Sequence, residues 1–72
     1  MRIHGSTLTR LRYRAGLSQT ELAERTGLNP GQISRLESGE RRGNPHTIKV
    51  LAAYFDVTVD ELCAATDDDQ VA

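Results

Sequence analysis

A chain of 72 residues with a formal net charge of −1 has room for one domain, and with roughly 60% of its unfolded surface buried that domain is only marginally stable. Its single cysteine, Cys63, excludes an intrachain disulfide, and no run approaches the roughly 18 apolar residues of a membrane span, so a soluble protein of a reducing cytoplasm is expected. Charge is unevenly spread, with eight arginines against four glutamates from Met1 to Gly43 and one lysine against six acidic residues from Asn44 to Ala72, a division that suits a polyanion-facing surface with a solvated back.

Ser6 precedes Leu8, Leu11 and Ala15 at helical spacing, so a first helix is expected to start there and to stop at Gly16 in a left-handed turn. Ser18, with Glu21 three residues on, forms a capping box for a second helix, whose Leu22 and Ala23 face inward and which Gly27 ends. Asn29 is a good N-cap for a third helix, with Pro30 in the first turn, where its missing N–H costs nothing. Ile33 and Leu36 form the buried face of that helix, and Gly39 follows its end. A polar loop from Gly39 to Asn44 leads to Ile48, Leu51, Ala52 and Phe55, spaced i, i+3, i+4, i+7, which predict a fourth helix from about Pro45 to Phe55. Thr58 and Glu61 make a second capping box before Leu62 and Cys63 and mark a short fifth helix. No segment alternates long enough to make a strand, so the expected fold class is all-α, a five-helix bundle. Residues 1–65 form its domain, and the acidic residues 66–72, which lack an apolar period, are expected to be a disordered tail.

The stretch from Gln19 to Ser38 fits a helix-turn-helix, two short helices joined by a turn of about three residues. Ala23 is small where the two helices approach each other, and Gly27 sits where the turn needs positive φ. Leu22, Leu28, Ile33 and Leu36 supply the apolar wedge that sets the angle between them. A plain helical hairpin with a glycine turn would share some of these features, but the full set at this spacing points to a DNA-binding motif.

The run Leu17-Ser18-Gln19-Thr20-Glu21-Leu22-Ala23-Glu24-Arg25-Thr26-Gly27, followed by Ile33-Ser34-Arg35-Leu36-Glu37-Ser38-Gly39, resembles the lambda-repressor-like family of phage Cro and repressor proteins. Pro45 and the segment from Phe55 to Leu62 match the family's closing pattern, and the resemblance covers about residues 6 to 64. It implies a five-helix bundle with the helix-turn-helix in helices 2 and 3, the third helix entering the major groove, commonly as a homodimer on a two-fold site. Carried over position by position, the resemblance assigns Asn29, Pro30, Gly31, Gln32 and Arg35 to the base edges of double-stranded DNA. Ser18 and Gln19, at the start of the second helix, and Ser38, Arg41 and Arg42, at the end of the third and in the loop beyond it, are assigned to phosphates. Gln32 suits adenine and Arg35 suits guanine, each through two hydrogen bonds. The chain departs from the family at Pro30 and Gly31, which offer no side-chain donor where polar readers are common, so direct readout is expected to concentrate on Gln32 and Arg35. The loop from Arg41 to Asn44 is also slightly longer than is usual in the family. Arg12 and Glu37 match a pair that bridges the first and third helices there, and a structural, partly buried ion pair is expected of them.

Other polar residues are read more plainly. Arg10 and Arg14 suit either a phosphate or a solvated face, and Arg25 suits the surface, paired with Glu21 one turn earlier. His4 and His46 lack a second ligand at metal spacing, and no nucleophile or cofactor-loop pattern accompanies Cys63 or the serines, so neither a metal site, a cofactor nor an enzyme is expected. Val57, Val59 and Leu62 serve either the domain's own core or an apolar dimer patch. The expected function is a sequence-specific DNA-binding transcriptional repressor. Its alternative is an antitoxin-like module whose acidic C-terminal half engages a protein partner.

Overall fold

The computed structural model describes residues 2–64, so the acidic tail expected at 66–72 lies outside the described residues. Five helices follow one another as α1 (Gly5–Arg14), α2 (Gln19–Thr26), α3 (Pro30–Ser38), α4 (Pro45–Phe55) and α5 (Val59–Cys63), and the described residues contain no strand. The all-α expectation is met.

Local chemistry sets most of the boundaries. Ser18 Oγ accepts from the Glu21 backbone N–H at 3.0 Å while the Glu21 carboxylate accepts from the Ser18 N–H at 2.9 Å, so two orphan donors of the α2 start are satisfied reciprocally. Thr58 and Glu61 repeat the arrangement at α5. Asn29 Oδ1 accepts from the Gly31 N–H at 2.8 Å and opens α3, and Asn44 Oδ1 accepts from the Thr47 N–H at 2.8 Å and opens α4; a proline follows each cap. Gly27 ends α2 at φ 73° and Gly39 ends α3 at φ 88°, left-handed conformations that cost a side-chain-bearing residue free energy. At the end of α4 the same role falls to Asp56, with φ 57°; a short polar side chain tolerates that region better than most.

One boundary departs from expectation. Helix α1 starts at Gly5, one residue before the expected Ser6 cap, with His4 as its N-cap and no side-chain cap hydrogen bond. The cause is tertiary. Ile3 inserts into the core, where it is 1% exposed, while Arg2 before it stays in solvent. The Ile3 N–H donates to the Arg42 carbonyl at 2.9 Å, and the His4 N–H donates to the Leu62 carbonyl at 3.2 Å. This stitching delivers Gly5 against the end of α3, where a Cβ would run into the Glu37 carbonyl and lie 3.0 Å from the Leu36 carbonyl oxygen. Glycine is therefore required by close approach of two backbones. Gly5→Ala is expected to cost about 1–3 kcal/mol through overpacking, lowering the thermal midpoint by roughly 4–8 °C per kcal/mol for a domain of this size. An unchanged midpoint by circular dichroism would show that α1 and α3 do not meet this tightly.

Leu8, Leu17, Leu22, Ala23, Ile33, Leu36, Leu51 and Leu62 form one buried cluster, to which α3 is central because it packs against both α1 and α2. Leu62 is fully buried, and Val57 and Val59 pack partly buried against the same cluster, so all three serve the core. With its inner face occupied by Ile33 and Leu36, α3 is left with its opposite face, Ser34, Arg35 and Ser38, in solvent. An α-helix with its side chains is about 10–12 Å across, the width that a major groove of about 12 Å admits.

Candidate nucleic-acid interface

Behind α3 stands a polar hub. Arg12, only 7% exposed, donates from Nε to Glu37 Oε2 at 2.6 Å and from Nη2 to Oε1 at 3.0 Å, the two-pronged geometry for which guanidinium and carboxylate are matched. Its third arm, Nη1, donates to the Leu17 carbonyl at 2.9 Å, and the guanidinium lies 4.6 Å from the Tyr13 ring centroid. Burial alone would push the Glu37 carboxyl upward; hydrogen bonds from Arg12 and Gln19, with the Arg12 charge, outweigh it and hold the group below the usual carboxylate range. The same bond holds the Arg12 guanidinium above its ordinary value. Each nitrogen of the Arg12 guanidinium donates a hydrogen bond, which makes the pair a brace between α1, α3 and the start of α2.

The brace reaches a residue assigned to phosphate. Gln19 Nε2 donates to Glu37 Oε1 at 3.1 Å, so one amide N–H is committed inward and the second remains for another acceptor. Gln19 and Ser18 stand at the N-terminus of α2, where free backbone N–H groups and the helix dipole favour an anion. Ser18 is exposed, but its hydroxyl is engaged as the cap.

On the outer side, α3 and the loop after it enclose an open recess of about 600 Å³ lined by the N-cap Asn29, by Gln32, Arg35 and Leu36 from the helix and by Arg41, Arg42, Gly43 and Asn44 from the loop. Of the residues assigned to base edges, Asn29, Gln32 and Arg35 meet in this recess; Pro30 and Gly31, in the first turn of α3, do not line it. Arg41 and Arg42, assigned to phosphates, face the base-edge candidates across it, whereas Ser38 lies outside, its hydroxyl donating to the Arg35 carbonyl at 3.1 Å. Three arginines and no carboxylate line the recess, so its field favours a polyanion even though the chain is nearly neutral. The loop is held in place by the Arg41 N–H donating to the Arg35 carbonyl at 3.2 Å and by Arg2 Nη2 donating to the Gly39 carbonyl at 2.8 Å. Asn44 and the anchoring residues Arg2 and Ile3 were not singled out by sequence reasoning; an Asn-Pro pair before the fourth helix was the available signal for Asn44, and nothing local marks the other two. Arg25 reaches the Tyr54 hydroxyl at 3.5 Å, and its charge adds only the last contribution to lowering the Glu21 carboxyl, after the backbone and side-chain bonds of Ser18.

Residues 5–65 match the model of a helix-turn-helix domain family. The chain belongs to the helix-turn-helix family of transcriptional regulators. Its five-helix arrangement is that of the lambda-repressor-like type. This helix-turn-helix chain is 38% identical over 64 residues to the uncharacterised HTH-type transcriptional regulator y4dJ of Sinorhizobium fredii, a match covering 89% of this chain and 83% of that protein. It is also 35% identical over 60 residues to the HTH-type transcriptional activator BcrR of Enterococcus faecalis, covering 83% of this chain but only 29% of the activator's length. Among solved structures, the restriction-modification controller protein C.AhdI of Aeromonas hydrophila superposes with a TM-score of 0.74 at 36% identity, over 81% of this chain and 88% of that one. A transcriptional regulator from Listeria innocua shares the fold at a TM-score of 0.76 and 24% identity, over 99% of this chain and 71% of that one. Among the described residues no helix is long and apolar enough to cross a membrane.

Proposed function

We propose that this helix-turn-helix chain is a sequence-specific DNA-binding repressor of the cytoplasm that inserts α3 into the major groove, with Gln32 and Arg35 reading bases and Arg41 and Arg42 gripping the flanking backbone. The observation that carries the reading is the recess itself, in which an amide and a guanidinium one helical turn apart stand opposite two loop arginines with no acidic side chain between them. Amides pair naturally with adenine and guanidinium groups with guanine in that groove, while loop cations fix register on phosphates. Asn29 borders the same site, and Pro30 and Gly31, small and without side-chain donors, let the helix backbone approach the base edges. Ser18 and Gln19 complete the backbone contacts, joined by Ser38 when its hydroxyl proton turns from the Arg35 carbonyl to a phosphate. Repression follows from occupancy, since a domain seated across a promoter excludes polymerase without needing a further contact. A homodimer on a two-fold site would place two α3 helices one turn of DNA apart, about 34–36 Å.

Selection from a random duplex pool tests the proposal. Enrichment of a two-fold sequence, bound with an affinity that falls steeply with salt, is the expected result. Failure to enrich any sequence, with only weak binding that vanishes at physiological salt, would reject it and favour a protein-interaction module.

A further inference from the structure

Thr47 is an α4 residue behind the recess, 2% exposed, with its backbone N–H held by Asn44 Oδ1 at 2.8 Å. Its hydroxyl is therefore buried, on the first turn of a capped helix. Gln32 Nε2 donates to that hydroxyl oxygen at 3.4 Å, and Gln32 itself is half-buried, unlike Arg35 on the next turn, which is exposed. On the N-terminal side of Gln32 the helix offers only Pro30 and Gly31, neither with a side chain able to hold an amide. The hydrogen bond to Thr47 ties the amide to α4. A carboxamide carries two N–H groups and one carbonyl oxygen. With one N–H directed to Thr47, the other N–H and the oxygen remain for the two-bond recognition of adenine. A reader held in place loses less freedom on binding than one that must first be ordered.

The geometry points to Thr47 as a positioning residue that sets how sharply Gln32 discriminates its base pair, although Thr47 itself touches no base. This inference rests on the reading of Gln32 as a base contact. The test compares the duplex selected by the wild-type chain with its single-base-pair variants, for Thr47→Val, Thr47→Ser, Gln32→Ala and the double variant Thr47→Val/Gln32→Ala. Valine keeps the branched volume but removes the oxygen. Thr47→Val is expected to reduce discrimination at the Gln32 base pair about fivefold, the scale of one neutral hydrogen bond, with non-specific affinity and salt slope unchanged. Serine retains full discrimination, and Thr47→Val adds nothing once Gln32 is alanine. A Thr47→Val chain that discriminates as well as wild type while Gln32→Ala does not would overturn the inference and leave the function intact. If Gln32→Ala also leaves discrimination unchanged, the base contact itself is wrong and the inference falls with it. A measurement on the wild-type protein covers the case in which Thr47→Val fails to fold: restricted side-chain amide dynamics of Gln32 by NMR relaxation supports the inference, and free rotation of that amide in the unbound domain rejects it.

Discussion

Arg12→Ala is expected to destabilise this domain strongly, by about 3–5 kcal/mol, the range for removing one partner of a buried ion pair. The arginine makes two bonds to Glu37 and one to the Leu17 carbonyl, and both side chains of the pair are 8% exposed. Alanine would leave a carboxylate and a backbone carbonyl without those donors in a site that admits little water. Total stability for 72 residues, at roughly 0.05–0.15 kcal/mol per residue, is about 4–11 kcal/mol, so the variant should lose a large share of it and melt at a markedly lower temperature. The milder Glu37→Gln change keeps an acceptor for Arg12 and should cost less. It also supplies a pH signature. Because folding lowers the Glu37 carboxyl, the pair's contribution is complete above the ordinary carboxylate range and is lost as pH falls through the lowered folded-state value. Chemical denaturation from neutral to acidic pH should therefore show stability declining on the acid side, with a shallower decline in Glu37→Gln. An Arg12→Ala chain with unchanged stability would mean that the brace between α1 and α3 is dispensable.

The second large effect concerns readout. Gln32→Ala and Arg35→Ala should each remove about 1–3 kcal/mol of discrimination, or about 5- to 150-fold, at one base pair of the selected site. Their losses fall on different base pairs, because the two residues stand one turn apart on α3. Arg41→Ala should behave otherwise, weakening binding to all sequences alike and making the salt slope shallower by about one phosphate's worth. Competition titrations of these variants against matched and mismatched duplexes separate the two classes. A uniform loss across sequences for Arg35→Ala would move that residue to the phosphate group.

What could be read from the sequence was whatever local hydrogen bonding decides. The boxes Ser18–Glu21 and Thr58–Glu61, the Asn29 cap with Pro30, and the turn glycine Gly27 each act within a few residues, so composition and spacing expose them. The start of α1 was misplaced for the complementary reason. Ser6 has the composition of a cap, but Gly5 is helical because Ile3 is buried beneath the Arg42 carbonyl and because α3 passes close by, contacts separated by more than thirty positions in sequence. The same limit applies to the candidate site. Arg35 and Gln32 follow from the resemblance of the third helix to its family, whereas the recess, the anchoring of its loop by Arg2 and the contact of Gln32 with Thr47 exist only once α4 and the N-terminal segment are in place. Gln19 illustrates both sides, since its place at the start of α2 was legible but its bond to Glu37 was not.

Methylation interference on the selected duplex tests most directly whether α3 lies in the major groove. Methylation of guanine N7, which lies in that groove, is predicted to block binding at one guanine in each half-site, and the block at that guanine should disappear for Arg35→Ala. Interference confined to adenine N3 in the minor groove, or an identical pattern for wild type and Arg35→Ala, would contradict the account.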